Sequence, residues 1–547
     1  SIYGARAAFG VILITTKEAG SKDRVSVKYN NNFAWSRATV LPKFLNTVDQ
    51  IKNALQSQYR TGGDVDMFGM LYEDLLPYAE AWQKQHGGKP YNDNVELHEF
   101  ESWDNVGDYA IIDKNGIPTT LHYADWDVAE TLFHVAPSQK HNVSLEGQSG
   151  KTNYRASFGY DEREDMLKYN SANRRRYMAN LNVGTQIFKF LRAGVRMNFS
   201  QREFDLPNTV ITGKNSSLNP YQYMWRWPGF FMNYGWQRNA DGEPMQWRNP
   251  IGLNSQAHMD RTTYTKTGIQ AWAIADICKG LTLQADFAYS VRNMNSDGTK
   301  MPVYMFDNWT VTPGKVYSPY TQASSYASQS NSRDHMWTTN VFATYAKTFA
   351  QAHNLKVMLG FTAEREEYKE FYAKRLGLMD YTLPNLDLTN GDTYTTTASN
   401  WTRATAGFFG RINYDYKGIY LLEVNGRYDG SSRFPANDQW AFFPSVSAGY
   451  RFSEEGYFEP VKSWWSNGKL RASYGHIGNE AVGNYRFIPT ISTTDQGETY
   501  WINGINGQKI SMLEMPTLVS NSLTWERIVT TDVGLDLGFF QNSLNVS

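Results

Sequence analysis

The sequence predicts an all-β protein, a transmembrane antiparallel β-barrel with long extracellular loops. Three observations indicate this fold. Apolar and polar residues alternate with a period of two over many segments. Aromatic residues make up 15% of the 547 residues, although the mean hydropathy is only −0.55. Very short links, such as Lys279-Gly280 and Lys417-Gly418, alternate with long polar segments.

The alternating segments are long enough to cross a membrane. Their apolar side chains share one face in residues 25–35, 154–160, 177–183, 191–199 and 281–292. Strands of soluble proteins average about 5 or 6 residues, whereas membrane strands need about 9 to 11. The polar faces carry Arg, Asp and Gln repeatedly, which favours a water-filled lumen. By the alternation rule the chain contains about 16 strands.

Three long polar segments interrupt the strands, at residues 37–140, 207–260 and 295–333. Loops of this length usually have a function. The first contains a predicted helix at residues 47–58, which begins with a Thr47-x-x-Gln50 capping box and carries Val48, Ile51 and Leu55 along one stripe. We interpret it as a small cap on a loop rather than as a domain.

Composition and motifs exclude several function classes. The net charge of −1 gives no basic footprint, which argues against a nucleic-acid partner. A single cysteine, Cys278, excludes a disulfide framework and a four-cysteine zinc site. His98-Glu99 lacks the second histidine of a zinc protease helix, because residue 102 is Ser. We therefore predict no catalytic residues, no metal site and no cofactor, and we do not expect an enzyme.

One loop is rich in aromatic residues and is the best candidate for contact with a substrate or a partner. Flat rings beside Asn and Gln can grip sugar rings or peptide backbones. A loop core, or a surface that docks a partner protein, remains an equal alternative. The predicted contact residues are Tyr221, Tyr223, Trp225, Trp227, Tyr234 and Trp236.

A second segment, Asp429-Gly430-Ser431-Ser432-Arg433, is either a functional loop or an ordinary turn, and we favour the turn.

Several motifs resemble one family of outer-membrane proteins. Residues 1–17, SIYGARAAFGVILITTK, closely resemble the end of the plug domain in SusC/RagA-like TonB-dependent transporters. Further similar segments follow in the family's order: 137–145 (PSQKHNVSL), 154–160 (YRASFGY), 408–414 (FFGRINY), 429–434 (DGSSRF), 443–450 (FPSVSAGY), 470–475 (LRASYG) and 523–526 (LTWE). The resemblance covers nearly all predicted strands, but not the loops.

The resemblance implies an architecture. Members of this family have 22 strands around a plug. Residues 1–22 are expected to be the C-terminal end of the plug domain and residues 23–547 the transmembrane β-barrel. We expect the sequence to be a fragment that departs from the family at both ends, lacking most of the plug, the segment that contacts TonB, and the final strands.

The resemblance also implies a function. It points to TonB-dependent active import of a bulky nutrient, an oligosaccharide or a peptide, across the bacterial outer membrane. The expected partners are TonB, outer-membrane lipid and a SusD-like surface lipoprotein that forms a lid over the extracellular mouth. No covalent chemistry is required. The alternative is a passive porin or a surface adhesin; a barrel enzyme would need a convergent catalytic set, which we do not locate.

Overall fold

The computed structural model describes residues 24–41, 43–62, 72–208, 235–306, 316–320, 322–494, 512–520 and 522–547. The expected plug segment, residues 1–22, lies outside these ranges. The described residues form 23 strands and four α-helices, which we number β1–β23 and α1–α4 in chain order.

Fifteen strands form a single antiparallel sheet, which confirms the predicted fold class. Each strand pairs with the next barrel strand along the chain. The strands, in order across the sheet, are β1 (Ser26–Ser36), β4 (Ala136–Ser149), β5 (Thr152–Glu164), β6 (Asn173–Phe188), β7 (Leu191–Pro207), β10 (Met259–Cys278), β11 (Leu281–Lys300), β14 (Tyr326–Phe349), β15 (His353–Leu376), β16 (Tyr394–Tyr416), β17 (Tyr420–Ser431), β18 (Trp440–Tyr450), β19 (Trp465–Asn479), β22 (Glu526–Phe539) and β23 (Leu544–Val546).

The remaining strands lie in the long loops and pair two by two. These pairs are β2 (Tyr109–Lys114) with β3 (Ile117–His122), β8 (Trp236–Arg238) with β9 (Pro244–Gln246), β12 (Val303–Phe306) with β13 (Val316–Tyr320), and β20 (Thr493–Thr494) with β21 (Met512–Leu513). The loops therefore carry their own ordered structure.

The two faces of the large sheet differ in polarity. On β1 the apolar residues Val27, Tyr29, Phe33 and Trp35 are all more than half exposed, and they alternate with polar residues such as Lys28. We call the apolar side the outer face and the polar side the inner face. Exposed apolar residues that repeat from strand to strand belong against lipid, and the polar side faces a watery lumen.

Aromatic residues mark the two limits of the apolar band. At the end with the short turns, Tyr420 stacks on Tyr450 with ring centroids 5.2 Å apart, and Trp464 stacks on Phe539 at 6.1 Å. Toward the long loops, Tyr428 stacks on Trp440 at 5.1 Å. Such girdles are typical of membrane barrels at their two water interfaces.

The central strands are longer than the sequence predicts. β14 and β15 have 24 residues each, and β11 and β14 occupy part of the predicted loop 295–333. That part of the loop prediction was wrong. Beyond the hydrocarbon layer both faces of a strand contact water, so the alternation of polarity disappears although the backbone hydrogen bonds continue. At about 3.3 Å per residue, 24 residues span roughly 80 Å, far more than the bilayer needs.

The four helices lie in the loops: α1 (Thr47–Thr61), α2 (Tyr72–Gln85), α3 (Val128–Leu132) and α4 (Pro250–Gln256). None of the helices in the described ranges has the length and hydropathy needed to cross a membrane. α1 begins where predicted, but the capping prediction was wrong. Asn46 is the N-cap and accepts a hydrogen bond from the Asp49 amide at 2.8 Å. Thr47 is instead buried, and its hydroxyl donates to Asp125 Oδ1 at 3.1 Å.

The largest hydrophobic core among the described residues lies in the loops, not in the sheet. Side chains from α1, α2, the β2–β3 hairpin and α3 pack with Trp247 and Ile251 of the β7–β10 loop and with Phe306 of the β11–β14 loop. We call this unit the cap: residues 43–62, 72–135, 235–258 and 301–306. The prediction of a small cap on a single loop was wrong, because three loops distant in sequence contribute to one core.

Candidate functional site

Trp236 is the one predicted contact residue that the structure describes, and the cap holds it firmly. Its backbone N–H donates to Val95 O at 3.0 Å, and its carbonyl accepts from the Leu97 N–H at 2.8 Å. A Cβ on the preceding Gly235 would overlap the Leu97 side chain, so glycine permits this close approach. The Arg238 guanidinium lies 5.2 Å from the Trp236 ring centroid, within cation–π range.

The other predicted contact residues lie outside the described ranges. These are Tyr221, Tyr223, Trp225, Trp227 and Tyr234. Their contact with a substrate or a partner stays a prediction. Trp236, which directly follows this segment, fixes the place where the aromatic loop joins the cap.

A buried carboxylate, Asp108, organises the cap beneath this junction. Its Oδ1 accepts hydrogen bonds from Trp82 Nε1 at 3.0 Å and from the Tyr91 hydroxyl at 2.8 Å. Its Oδ2 accepts from the His98 amide at 3.0 Å. Burial, and then the charge of Asp108, raise the pKa of Tyr91 above its ordinary value. Three donors thus compensate one buried acid. Sequence reasoning missed this residue, since nothing in the local pattern marks a buried Asp.

His122 lies at the contact between two loops of the cap. Its ring meets the Trp247 ring edge-on, with centroids 4.2 Å apart, and the side chain is buried. Burial lowers the pKa of His122 to about 3. The imidazole is therefore neutral at physiological pH, and the β2–β3 hairpin and the β7–β10 loop pack together without a buried charge.

The inner face of the sheet carries two polar cavities. One, of about 740 Å³, lies near the short turns, and its lining includes both cations and carboxylates: Lys356, Lys469, Arg471, Asp415, Glu423 and Asp532. The other, of about 480 Å³, is lined by amides and charged groups, among them Asn182, Arg192, Arg196, Gln270 and Asp286. The lumen wall is therefore polar with mixed charges, which suits a hydrated passage rather than one selective for a single charge sign.

Trp272 is an aromatic platform within the second cavity. Its ring lies over Gly184 and Gly194, and a Cβ on Gly194 would lie 2.7 Å from Trp272 Cζ2. The Arg196 guanidinium is 5.5 Å from the ring centroid. Sequence reasoning missed Trp272. The sequence did contain a signal for it, because Trp272 is an aromatic residue among the polar positions of β10, on the same face as Lys266 and Gln270.

The segment Asp429–Arg433 makes structural contacts at the end of β17. The Ser431 hydroxyl donates to Glu480 Oε2 at 2.6 Å, and Arg433 Nη1 donates to the Glu480 carbonyl at 2.8 Å. Phe434 is fully buried against Trp525, with ring centroids 5.2 Å apart. The segment ties the β17–β18 loop to the residues that follow β19.

Within the described ranges no group of three or more His, Cys, Asp or Glu side chains is placed to hold a metal ion. Cys278 is exposed at the end of β10.

Comparison with known proteins shows which proteins this chain is similar to. Residues 303–547 match the family model described as TonB dependent receptor-like, beta-barrel. The TonB-dependent receptor P39 of Formosa agariphila is 26% identical over 100% of this chain and 45% of its own length. The TonB-dependent receptor SusC of Bacteroides thetaiotaomicron is 24% identical over 100% of this chain and 48% of its own. The chain is therefore similar to the SusC/RagA-like TonB-dependent receptors.

Solved structures agree with this assignment at the level of the fold. The RagAB peptide transporter has a TM-score of 0.72 and 20% identity, covering 100% of this chain and 56% of that chain. The RagAB peptide importer in the open-open state also has a TM-score of 0.72, at 22% identity, covering 100% of this chain and 55% of that chain. The chain is an outer-membrane protein, and the family whose model it matches in residues 303–547 is one of receptors and transporters rather than of enzymes. The chain spans about half the length of the curated relatives it matches.

Proposed function

We propose that the protein imports a bulky nutrient, an oligosaccharide or a peptide, across the bacterial outer membrane with energy from TonB. The proposal rests on one observation. The large sheet has an apolar outer face and a polar inner face, and it carries a cap that has a hydrophobic core of its own. Its likeness to TonB-dependent receptors supports energy coupling through TonB. In this proposal residues 1–22 end the plug, residues 23–547 form the barrel, and a segment upstream contacts TonB.

Both substrate classes fit the inner wall. Amides, mixed charges and the Trp272 platform can bind sugar hydroxyls and rings, and they can equally bind peptide groups. The peptide class has support from the structures of similar fold, which are named as a peptide transporter and a peptide importer. The oligosaccharide class rests on the resemblance to the SusC/RagA group.

A SusD-like surface lipoprotein is the proposed lid. The cap supports this role because it presents an ordered surface at the long-loop end of the barrel. In the same proposal the aromatic loop, with Tyr221, Tyr223, Trp225, Trp227, Tyr234 and Trp236, contacts the substrate or the lid. The backbone hydrogen bonds and the Arg238 contact of Trp236 support the presentation of this one ring in a fixed place.

Uptake tests the proposal as a whole. A strain that depends on this protein is supplied with labelled oligosaccharides and, separately, labelled peptides, with and without its TonB. We expect accumulation of one class and its loss when TonB is removed. Accumulation that persists without TonB would indicate a passive porin. Surface binding of the label without accumulation in either strain would indicate an adhesin.

Substitution tests the aromatic loop separately. In the full-length protein, Trp225→Ala with Trp227→Ala, and Trp236→Ala alone, are compared with Tyr59→Ala, which removes an exposed ring elsewhere in the cap. Substrate affinity and lipoprotein association are measured independently. We expect at least one of them to fall about tenfold in the Trp variants, as for loss of a contacting aromatic ring. If both match the Tyr59→Ala control, the loop has only a structural role.

A further inference from the structure

The outer face of β14 and β15 changes character at Trp337. On the short-turn side of this residue it carries Val341, Tyr345, Leu359 and Phe361. On the long-loop side the same face carries Arg333 on β14 and Arg365, Glu367 and Lys369 on β15. These three cations with Glu367 form what we call the outer basic patch. Their position directly beyond the apolar band places them beside the polar layer of the membrane.

Arg333 and Lys369 are directly opposite each other in the β14–β15 pairing. Like charges in this position repel and destabilise a sheet. Among the residues that the structure describes, neither side chain forms an ion pair or a hydrogen bond. Their cross-strand neighbours on the far sides are the neutral Asn293 and Asn400. Arg365 does pair with Glu367, at 2.7 Å, so the patch keeps two uncompensated positive charges.

Two outward arginines elsewhere on the sheet are compensated. On β6 and β10, Arg175 and Arg261 both bind Asp205 of β7, and Arg261 Nε lies 2.7 Å from Asp205 Oδ1. Arg175 Nη2 also lies 3.7 Å from Glu203 Oε2. The fold therefore supplies carboxylates to outward arginines at one place and leaves two cations side by side at another.

We propose that the outer basic patch binds the phosphate group of an anionic lipid in the outer leaflet. Arg333 lies four residue steps from Trp337, which is about 13 Å along the strand and about 10 Å along the membrane normal at a tilt near 40°. Long cationic side chains reach back toward the interface over such distances. A phosphate between Arg333 and Lys369 converts their repulsion into two attractive contacts, and the amides of Asn293 and Asn400 are close enough in register to add donors.

The test uses the purified full-length protein in nanodiscs with a dilute, phosphate-bearing lipid A as probe and its dephosphorylated form for comparison. We expect the protein to prefer the phosphorylated lipid. Arg333→Gln with Lys369→Gln is expected to weaken that binding roughly 10- to 30-fold, from about 1 kcal/mol per cation near an anionic surface. Lys140→Gln with Lys266→Gln, which removes two cations from the inner face, is the matched control and is expected to bind normally.

A charge-preserving variant separates binding from folding. Arg333→Lys with Lys369→Arg keeps both charges and is expected to retain most of the affinity. The proposal is overturned if the Gln double variant binds like the wild type, or if the inner-face control loses affinity equally. It is also overturned if inorganic phosphate alone binds the patch as tightly as the lipid, because the site would then serve free phosphate.

Discussion

Arg427 and Asp429 form a two-point ion pair on the inner face of β17, within one strand and two residues apart. Arg427 Nε donates to Asp429 Oδ2 at 3.0 Å, and Nη2 donates to Oδ1 at 2.8 Å. Both side chains are less than one tenth exposed. Opposite Asp429 on β16 stands Gly407, where a Cβ would overlap the carboxylate. The ion pair therefore requires both charged side chains, and it also requires that Gly407, opposite Asp429, has no side chain.

Removing one member of this pair should destabilise the barrel strongly. Asp429→Ala leaves the Arg427 charge buried without its carboxylate, and we expect a loss of about 3 to 5 kcal/mol in the free energy of unfolding. Arg427→Met with Asp429→Leu removes both charges and should cost much less. Urea unfolding in lipid, followed by heat-modifiable gel mobility, measures both. If the single and double variants lose the same free energy of unfolding, the unpaired charge is not the cause of the destabilisation.

Gly407→Ala should be costly for a steric reason. A methyl group there displaces the Asp429 carboxylate, so we expect a loss of about 1 to 3 kcal/mol, as for other overpacked sites. Gly410→Ala is the control on the same strand, because its Cβ would lie 3.2 Å from the flexible end of Leu359. The same unfolding assay applies. A Gly407→Ala variant as stable as Gly410→Ala would contradict the tight packing of this site.

His122 should make the cap sensitive to acid. The pKa of His122 is lowered from 6.5 to about 3 in the folded cap, so the unfolded state takes up a proton first as the pH falls. This part of the stability is complete above about pH 6.5 and is lost progressively toward pH 3. At pH 5 the loss is about 2 kcal/mol, or roughly 30-fold in the opening equilibrium. Hydrogen exchange of cap peptides, corrected for the intrinsic rate at each pH, measures it.

Replacement of the imidazole gives the matched comparison for this pH effect. His122→Gln cannot titrate, so cap protection in this variant should depend on pH less steeply than in the wild type, whatever its absolute stability. If the wild type and the variant show the same slope between pH 7.5 and pH 5, His122 is not the titrating group.

Loss of Asp108 should loosen the cap while leaving the barrel intact. Asp108→Ala leaves the buried Trp82 Nε1 and the part-buried His98 amide without their acceptor, and we expect a cost of about 3 kcal/mol within the cap. Hydrogen exchange in residues 72–98 should rise, whereas exchange in β14 and β15 should not. Asp104→Ala removes an exposed acid from the same segment and serves as the control. Uniform loosening of cap and barrel would contradict this separation.

The sheet was predictable because its membrane-crossing part obeys a local rule. Side chains such as Tyr29 and Phe33 must face lipid while Lys28 faces water, and a period of two records this directly in the sequence. The rule fails beyond the bilayer, where residues 326–332 of β14 have water on both sides. It fails again in the cap, whose core joins Ile51 to Trp247 and Phe306 across loops far apart in the chain.

The candidate site was predictable only in part. The aromatic composition pointed to Trp236, but not to its support by Leu97 and Arg238, which depends on contacts between distant segments. Trp272 could have been recognised from the sequence, because it is an aromatic residue at one of the polar positions of an alternating strand. Asp108 left none, because a buried carboxylate and a solvated one look alike until their hydrogen-bond donors are placed around them.

The length of β14 has a mechanical consequence. The strand continues for about 11 residues past Trp337, where the apolar part of its outer face ends, and this raises the cap roughly 28 Å above the hydrocarbon at a strand tilt near 40°. A protein anchored to the same leaflet by a lipid can touch the cap only through a stalk or body of that height. A bare tether would need at least about eight fully extended residues. The extended barrel wall thus holds the cap well above the membrane surface. A partner must therefore extend to this height, and it must also have a surface that fits the cap.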